Sequence, residues 1–203
     1  MRRFVTFEGV GGSGKTTQIR LLGERLKKDN INFILTREPG GTSISEEIRK
    51  ILLDPKNTEM TPLTEILLFA SSRAQHVEEL IMPNLQKNLL VLCDRFVDSS
   101  VAYQSYGRGF DKDVVLAINN TATKSLEPDL TFMFLMDPQE SLKRKPNNKD
   151  IDKFDDEELD FQYRLYDGYF QIAEDNSHRC HIIDATKKIE EINEEIYSLI
   201  KKL

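Results

Sequence analysis

Residues Gly9, Val10, Gly11, Gly12, Ser13, Gly14, Lys15 and Thr16 follow the spacing G-x-x-x-x-G-K-[ST], with a further hydroxyl at Thr17. That spacing suits a phosphate. Glycines let the backbone curl so that several N–H groups converge, and a following helix adds partial positive charge at its N-terminus. Lys15 can reach the β- and γ-phosphates of a nucleoside triphosphate, and the Thr16 hydroxyl can ligate Mg2+. The loop names the ligand but not its fate. A switch GTPase, a motor ATPase and a small-molecule kinase all begin this way.

Three further stretches bear on that fate. Cys93-Asp94-Arg95 closes the apolar run LLVLC. An acidic residue at the carboxyl end of a strand beside the loop is the expected partner of a Mg2+-bound water. The guanidinium of Arg95 would enter the same crevice and grip phosphate oxygens bidentately. A turn-rich loop, TREPGGT, spans residues 36–42. Phe69 and Arg73 lie four residues apart on a helical stretch, so they share a face. A ring beside a guanidinium could stack on a flat base and donate to its carbonyl.

These groups need a scaffold, and the apolar pattern supplies one. Strand-like runs occur at 4–7 (FVTF), 32–36 (NFILT), 89–93 (LLVLC), 129–136 (DLTFMFLM) and 180–184 (CHIID). Helical periodicity lies between them. Ile19, Leu22 and Leu26 repeat after the loop, and Ile189, Ile192, Ile196 and Leu199 repeat near the C-terminus. Apolar strands alternating with helices predict an α/β fold, a parallel sheet covered on both faces. Residues 137–160 are polar and charge-rich, and read as an excursion from the domain.

Composition removes several classes of function. The 203 residues suit one compact domain, and 39% apolar with 31% charged residues reads as soluble and globular. No apolar run approaches the ~18 residues of a membrane span, and MRRFVTFEG lacks the marks of a signal peptide. The expectation is a cytoplasmic protein. Acidic residues outnumber basic ones, 34 to 28, which argues against a broad nucleic-acid face and against a nucleic-acid motor. Cys93 and Cys180 sit in apolar runs and read as buried reduced thiols, while His76, His178 and His181 form no metal-ligand spacing.

Taken in order, these stretches resemble the bacterial-type thymidylate kinase family. The likeness runs nearly end to end, through FEG-x-x-GSGKTTQ, TREPGGT, LLFA-x-x-RAQH, VLCDRF-x-DSS-x-AYQ and the YGRG loop at 106–109. It implies a P-loop nucleoside-monophosphate kinase fold of five parallel strands with helices on both faces, as a single domain over residues 1–203. It implies transfer of the γ-phosphate of Mg-ATP to dTMP, giving dTDP for dTTP synthesis, by a homodimer. Phe69 would stack on thymine and Arg73 would hydrogen-bond it. Arg95 would bind the dTMP phosphate with help from Arg49. Ser100 and Gln104 would line the base pocket, Tyr103 would crowd the sugar C2′, and Glu38 and Pro39 would edge the cleft. The loop at 184–186, around Ala185, resembles the one that flanks the ATP adenine.

The resemblance also assigns the chemistry. The acceptor phosphate, with a second pKa near ~6, is already mostly dianionic at pH 7. Catalysis is then positioning and charge neutralisation by Lys15, Asp94, Arg95 and Mg2+ rather than general base chemistry. A lid at about 137–160 would exclude water, with Arg144 and Lys153 as its catalytic cations. Two positions leave the family pattern. Lys153 stands where the family often has arginine. Gly11 stands where the family usually has a carboxylate that reaches the dTMP 3′-hydroxyl. Two alternatives remain at this point: another P-loop phosphotransferase, and a nucleotide-binding module with degenerate catalysis.

Overall fold

The computed structural model describes residues 3–144 and 158–203. Five strands, β1 (Arg3–Gly9), β2 (Phe33–Arg37), β3 (Leu90–Asp94), β4 (Leu130–Leu135) and β5 (Cys180–Asp184), form one sheet in the order β2-β3-β1-β4-β5. Every pairing is parallel. The register matters most for function. Phe7 of β1 pairs with Asp94 of β3, and Asp94 pairs in turn with Arg37 of β2. Glu8, Arg95 and Glu38 therefore leave the sheet at one level, at its carboxyl edge, where such folds bind ligands.

Strand alternation sends Val5 and Phe7 to one face and Phe4, Thr6 and Glu8 to the other. On the first face, α1 (Lys15–Lys28) and α9 (Ile189–Ile200) bury Ile19, Leu22, Leu26, Ile192, Ile196 and Ile200 against β1, β3 and β4. Each such side chain stabilises the fold by about 1.5–3 kcal/mol. The opposite face is covered by α3 (Pro62–His76), α6 (Lys112–Thr123) and α8 (Leu159–Asp175), which contribute Ile66, Val115, Phe161, Leu165 and Tyr169.

All five predicted strands form, but coverage differs from the expectation at the margins. Edge strands β2 and β5 are only partly covered, and Leu35 is half exposed. In α9 the inward stripe is Ile192, Ile196 and Ile200, whereas Ile189 at the first turn is exposed. Cys93 is buried as expected, but Cys180 at the start of an edge strand is only half-buried.

The shorter elements are α2 (Ser43–Leu53), α4 (Met82–Gln86), α5 (Val97–Ser100) and α7 (Pro138–Arg144). Among the described residues two π-helical segments also occur, Val77–Ile81 after α3 and Val101–Gly107 after α5. Such wide turns are uncommon and re-aim the side chains they carry. The second one carries Tyr103 and Gln104.

Candidate active site

Helix α1 begins at a glycine. Helices α2 and α3 are capped by Thr42 and Thr61, whose hydroxyls accept from the amides of Ser45 and Thr64. Helix α1 starts after Gly14, at φ 89°, with no side-chain cap and no acidic residue in its first turn. Its amides are thus left for an anion. Around them lies a cavity of about 610 Å³, lined by residues 11–18, Arg144, Ala185 and Lys187 among others. The Lys15 ammonium donates to the carbonyls of Gly9 at 2.9 Å and Val10 at 2.8 Å.

A second cavity of about 330 Å³ adjoins the first. The loop after β2 forms one side, with Arg49 donating to the Pro39 carbonyl at 2.8 Å. Phe69 and Arg73 of α3 form another, and Ser100, Tyr103 and Gln104 a third. Arg73 is 2% exposed, and its guanidinium donates to Glu38 at 2.7 Å, to Ser100 at 2.8 Å, to the Phe96 carbonyl at 2.8 Å and to Asn119. The other Glu38 oxygen meets His76 Nδ1 at 2.9 Å, and His76 Nε2 meets Thr36 at 2.7 Å. A buried charge pair is tolerated only when its remaining hydrogen-bonding groups are satisfied, and here all but one N–H of Arg73 are. Gln104 Nε2 donates to Glu65, leaving Gln104 Oε1 buried with no partner.

The two cavities share Gly11, Thr16, Asp94 and Arg95 as a common wall. Thr16 donates to Asp94 Oδ2 at 3.3 Å, and Asp94 Oδ1 is buried without a partner. Among the described residues no cluster of three or more His, Cys, Asp or Glu could cage a metal. One hydroxyl and one underused carboxylate instead suit a hard cation that keeps most of its waters. Arg95 sits at φ 71°, a left-handed conformation that costs a non-glycine residue roughly 1–2 kcal/mol. Its Nη1 donates to the Gly9 carbonyl, Ser99 and Tyr169 at 3.0–3.1 Å. Nε and Nη2 make no hydrogen bond among the described residues, which leaves a fork facing outward from that anchor. Burial alone would lower the Arg95 pKa, but Tyr103, Tyr169, Asp94 and Glu8 hold it above the ordinary guanidinium range.

A triphosphate-type loop and a base-sized cavity meeting at one arginine are the plan of a phosphotransferase, and comparison with known proteins identifies which. The family model described as Thymidylate kinase matches residues 7–196. Thymidylate kinase of Halothermothrix orenii is 49% identical over 98% of this chain and 96% of its own length. That of Exiguobacterium sibiricum is 45% identical over 95% of this chain and 91% of its own. The crystal structure of thymidylate kinase from Ehrlichia chaffeensis superposes with a TM-score of 0.80 at 36% identity, covering 98% of both chains.

The chain belongs to the thymidylate kinase family.

Membership makes it a kinase that phosphorylates dTMP to dTDP. Seen as a thymidylate kinase, most residues read from the sequence converge. Glu38, Pro39, Arg49, Phe69, Arg73, Ser100, Tyr103 and Gln104 line one cavity, and Gly12, Ser13, Gly14, Lys15, Thr17, Arg144 and Ala185 the other. Gly9 and Val10 are corrected in kind. They are buried and line neither cavity, and act through carbonyls that hold Lys15. A Cβ at Gly9 would lie 2.4 Å from the Phe134 carbonyl oxygen, so only glycine fits there. Gly11, unlike Gly9, Gly12 and Gly14, does not need a positive φ. Arg144 donates to the Ala185 carbonyl at 2.9 Å, tying α7 to the 184–186 loop. Lys153 lies outside the described residues.

The sequence reading missed the residues behind this thymidylate kinase site. Glu8, fully buried, accepts from the Phe96 amide at 2.7 Å and from Ser99 at 2.5 Å. Burial and the nearby Asp98 push its carboxyl up to about 8, opposed by Ser99, Arg95 and the Phe96 amide. His76 and Asn119 support Arg73, and Tyr169 supports Arg95. A glutamate inside an otherwise apolar strand was the one available signal, since lone buried acids need partners.

Proposed function

We propose that the loop cavity takes Mg-ATP and the adjoining cavity takes dTMP, with the γ-phosphoryl group passing in line between them beside Arg95. The observation that carries this is the wall shared by both cavities. On it, Arg95 is anchored through Nη1 and has a fork to spare for phosphate. Lys15 exchanges loop carbonyls for donor phosphate oxygens. The uncapped α1 amides share that negative charge. Thr16 and Asp94 would hold Mg2+, which when bound neutralises charge on the donor phosphates.

Base choice follows from two groups. Arg73 retains one N–H donor of five, and Gln104 Oε1 is an unused acceptor. A pyrimidine with a carbonyl beside an N–H answers both, as thymine does and cytosine does not. Phe69 stacks on that ring, and Tyr103 limits room at the sugar C2′. A coupled ADP-release assay with Mg-ATP and dTMP, dUMP, dCMP, dGMP or AMP tests the reading. Highest activity with dTMP, weaker turnover of dUMP, none with dCMP, dGMP or AMP, and loss on chelation by EDTA are expected. Equal rates with dCMP would overturn the base assignment.

The same reading includes a single kinase domain in the cytoplasm, a lid around 137–160 with Arg144 at its start, and a homodimer. Leu63 and Leu67 on α3 and Val114 on α6 are about half exposed on neighbouring helices, a surface that a second copy would cover. Light scattering on the purified protein measures that directly. A monomer at micromolar concentration would remove the dimer from the reading.

A further inference from the structure

We propose that Glu8, Ser99 and Tyr169 are positioning residues that fix the Arg95 guanidinium for the acceptor phosphate. The proposal rests on the reading of Arg95 given above. Three elements converge on a single nitrogen. Arg95 Nη1 donates to Ser99 Oγ of α5 at 3.1 Å and to Tyr169 OH of α8 at 3.0 Å, while Ser99 and Tyr169 hydroxyls lie 3.0 Å apart. Ser99 donates onward to Glu8 Oε2 of β1 at 2.5 Å, and Glu8 Oε1 accepts the Phe96 amide at 2.7 Å.

With Glu8 ionised the hydroxyl protons have one arrangement, and the two Nη1 hydrogens are shared among Ser99, Tyr169 and the Gly9 carbonyl. A guanidinium cannot accept, so both hydroxyls must turn lone pairs toward it. Ser99 then spends its only proton on Glu8, and Tyr169 spends its own on Ser99. Above its raised pKa of about 8, Glu8 thus sets the polarity of the chain from a site that no solvent reaches; protonated, it donates to Ser99 and reverses the Ser99–Tyr169 bond, with both hydroxyls still turning lone pairs to Arg95. With Nη1 held, rotation of the guanidinium is blocked, and Nε and Nη2 keep a fixed edge for a phosphate. Arg95 needs this restraint because its own backbone is in the left-handed region, where a side chain is otherwise disfavoured. Tyr169 is fully buried, so its hydroxyl has no alternative partner in water.

Steady-state kinetics on three variants, each made in the wild-type and the Arg95→Lys background, test this. Tyr169→Phe and Ser99→Ala each remove one hydroxyl, and Glu8→Gln keeps one oxygen for the Phe96 amide but sets an NH2 donor against Ser99. In the wild-type background, each should lower kcat/KM for dTMP by about ten-fold while moving KM for ATP by less than about two-fold. In the Arg95→Lys background the same changes should cost less than about two-fold. Equal losses in both backgrounds, or parallel losses for both substrates, would overturn the proposal, because the residues would then act on the fold in general. Should Glu8→Gln not fold, the two hydroxyl variants decide alone. If Arg95→Lys by itself leaves kcat/KM for dTMP unchanged, it is the phosphate-holding role of Arg95 that fails, and the positioning proposal falls with it.

Discussion

The two cavities are built by opposite means. The loop cavity is largely backbone. Its central part comes from one continuous stretch, residues 11–18, with amides at an uncapped helix start and a lysine resting on loop carbonyls. The adjoining cavity is side chains delivered from distant segments and secured from behind. Arg73 is gripped by Glu38, Ser100, Phe96 and Asn119, which lie 35, 27, 23 and 46 residues away along the chain. A backbone cradle recognises any triphosphate tail, because phosphates are alike. Discriminating one base from another takes donors and acceptors at fixed points, and only a packed surround can fix them.

That contrast predicts how each wall fails. The largest effect should come from Arg73→Ala, which leaves Glu38 buried opposite an empty space. A loss of about 3–5 kcal/mol in unfolding free energy is expected, together with loss of dTMP turnover. Arg49→Ala, on the same cavity but partly exposed, should cost under about 1 kcal/mol by the same urea titration. Comparable losses from the two would mean that the acceptor wall is not secured by its buried pair.

Lys15→Ala should fall next, with the reverse signature. A drop in kcat of about 10²–10³-fold is expected from losing one electrostatic contact to the transferring group, with little change in KM for dTMP. A matching rise in KM for dTMP would blur the division between the walls.

Gly11→Asp addresses the seam. The position lines both cavities and does not need a positive φ, so the backbone accepts a side chain. A carboxylate there should raise the preference for dTMP over 3′-deoxy-dTMP by about ten-fold in kcat/KM, the scale of one hydrogen bond to a charged group. An unchanged ratio would show that Gly11 leaves no gap at the 3′-hydroxyl.

The smallest effect concerns the Arg37–Glu46 pair at the cavity of about 330 Å³, 2.6 Å apart and well exposed. The Arg37 guanidinium draws the Glu46 carboxyl from 4.5 down to about 2, aided by the Gly41 amide. A depressed carboxylate contributes stability that is present above its unfolded pKa and lost as pH falls through the folded one. Acid titration of Glu46→Gln should therefore show a shallower loss of stability between about pH 4.5 and 2 than the wild type. The difference should stay under about 1 kcal/mol because solvent screens the pair.

The strand order of the fold could not be read from the sequence, but the strands themselves could. FVTF, LLVLC and DLTFMFLM are apolar because both faces of the central strands are covered, and period and composition report that directly. The edges were harder. CHIID looks as apolar as its neighbours, yet β5 is half open, since what covers a strand is another segment's decision. The exposed Ile189 has the same origin: helical spacing marks a stripe but not where the stripe meets the sheet.

The loop cavity, the Asp94-Arg95 pair and the family were legible in the residues alone, because each is carried by short contiguous motifs whose spacing is the chemistry. It took packing in three dimensions to make Arg73 a buried, four-fold-held donor rather than a solvated one. The same is true of Glu8, Ser99 and Tyr169 standing behind Arg95. Those facts are contacts between residues up to 91 positions apart, set by sheet register and helix packing, and no local pattern encodes a partner that distant.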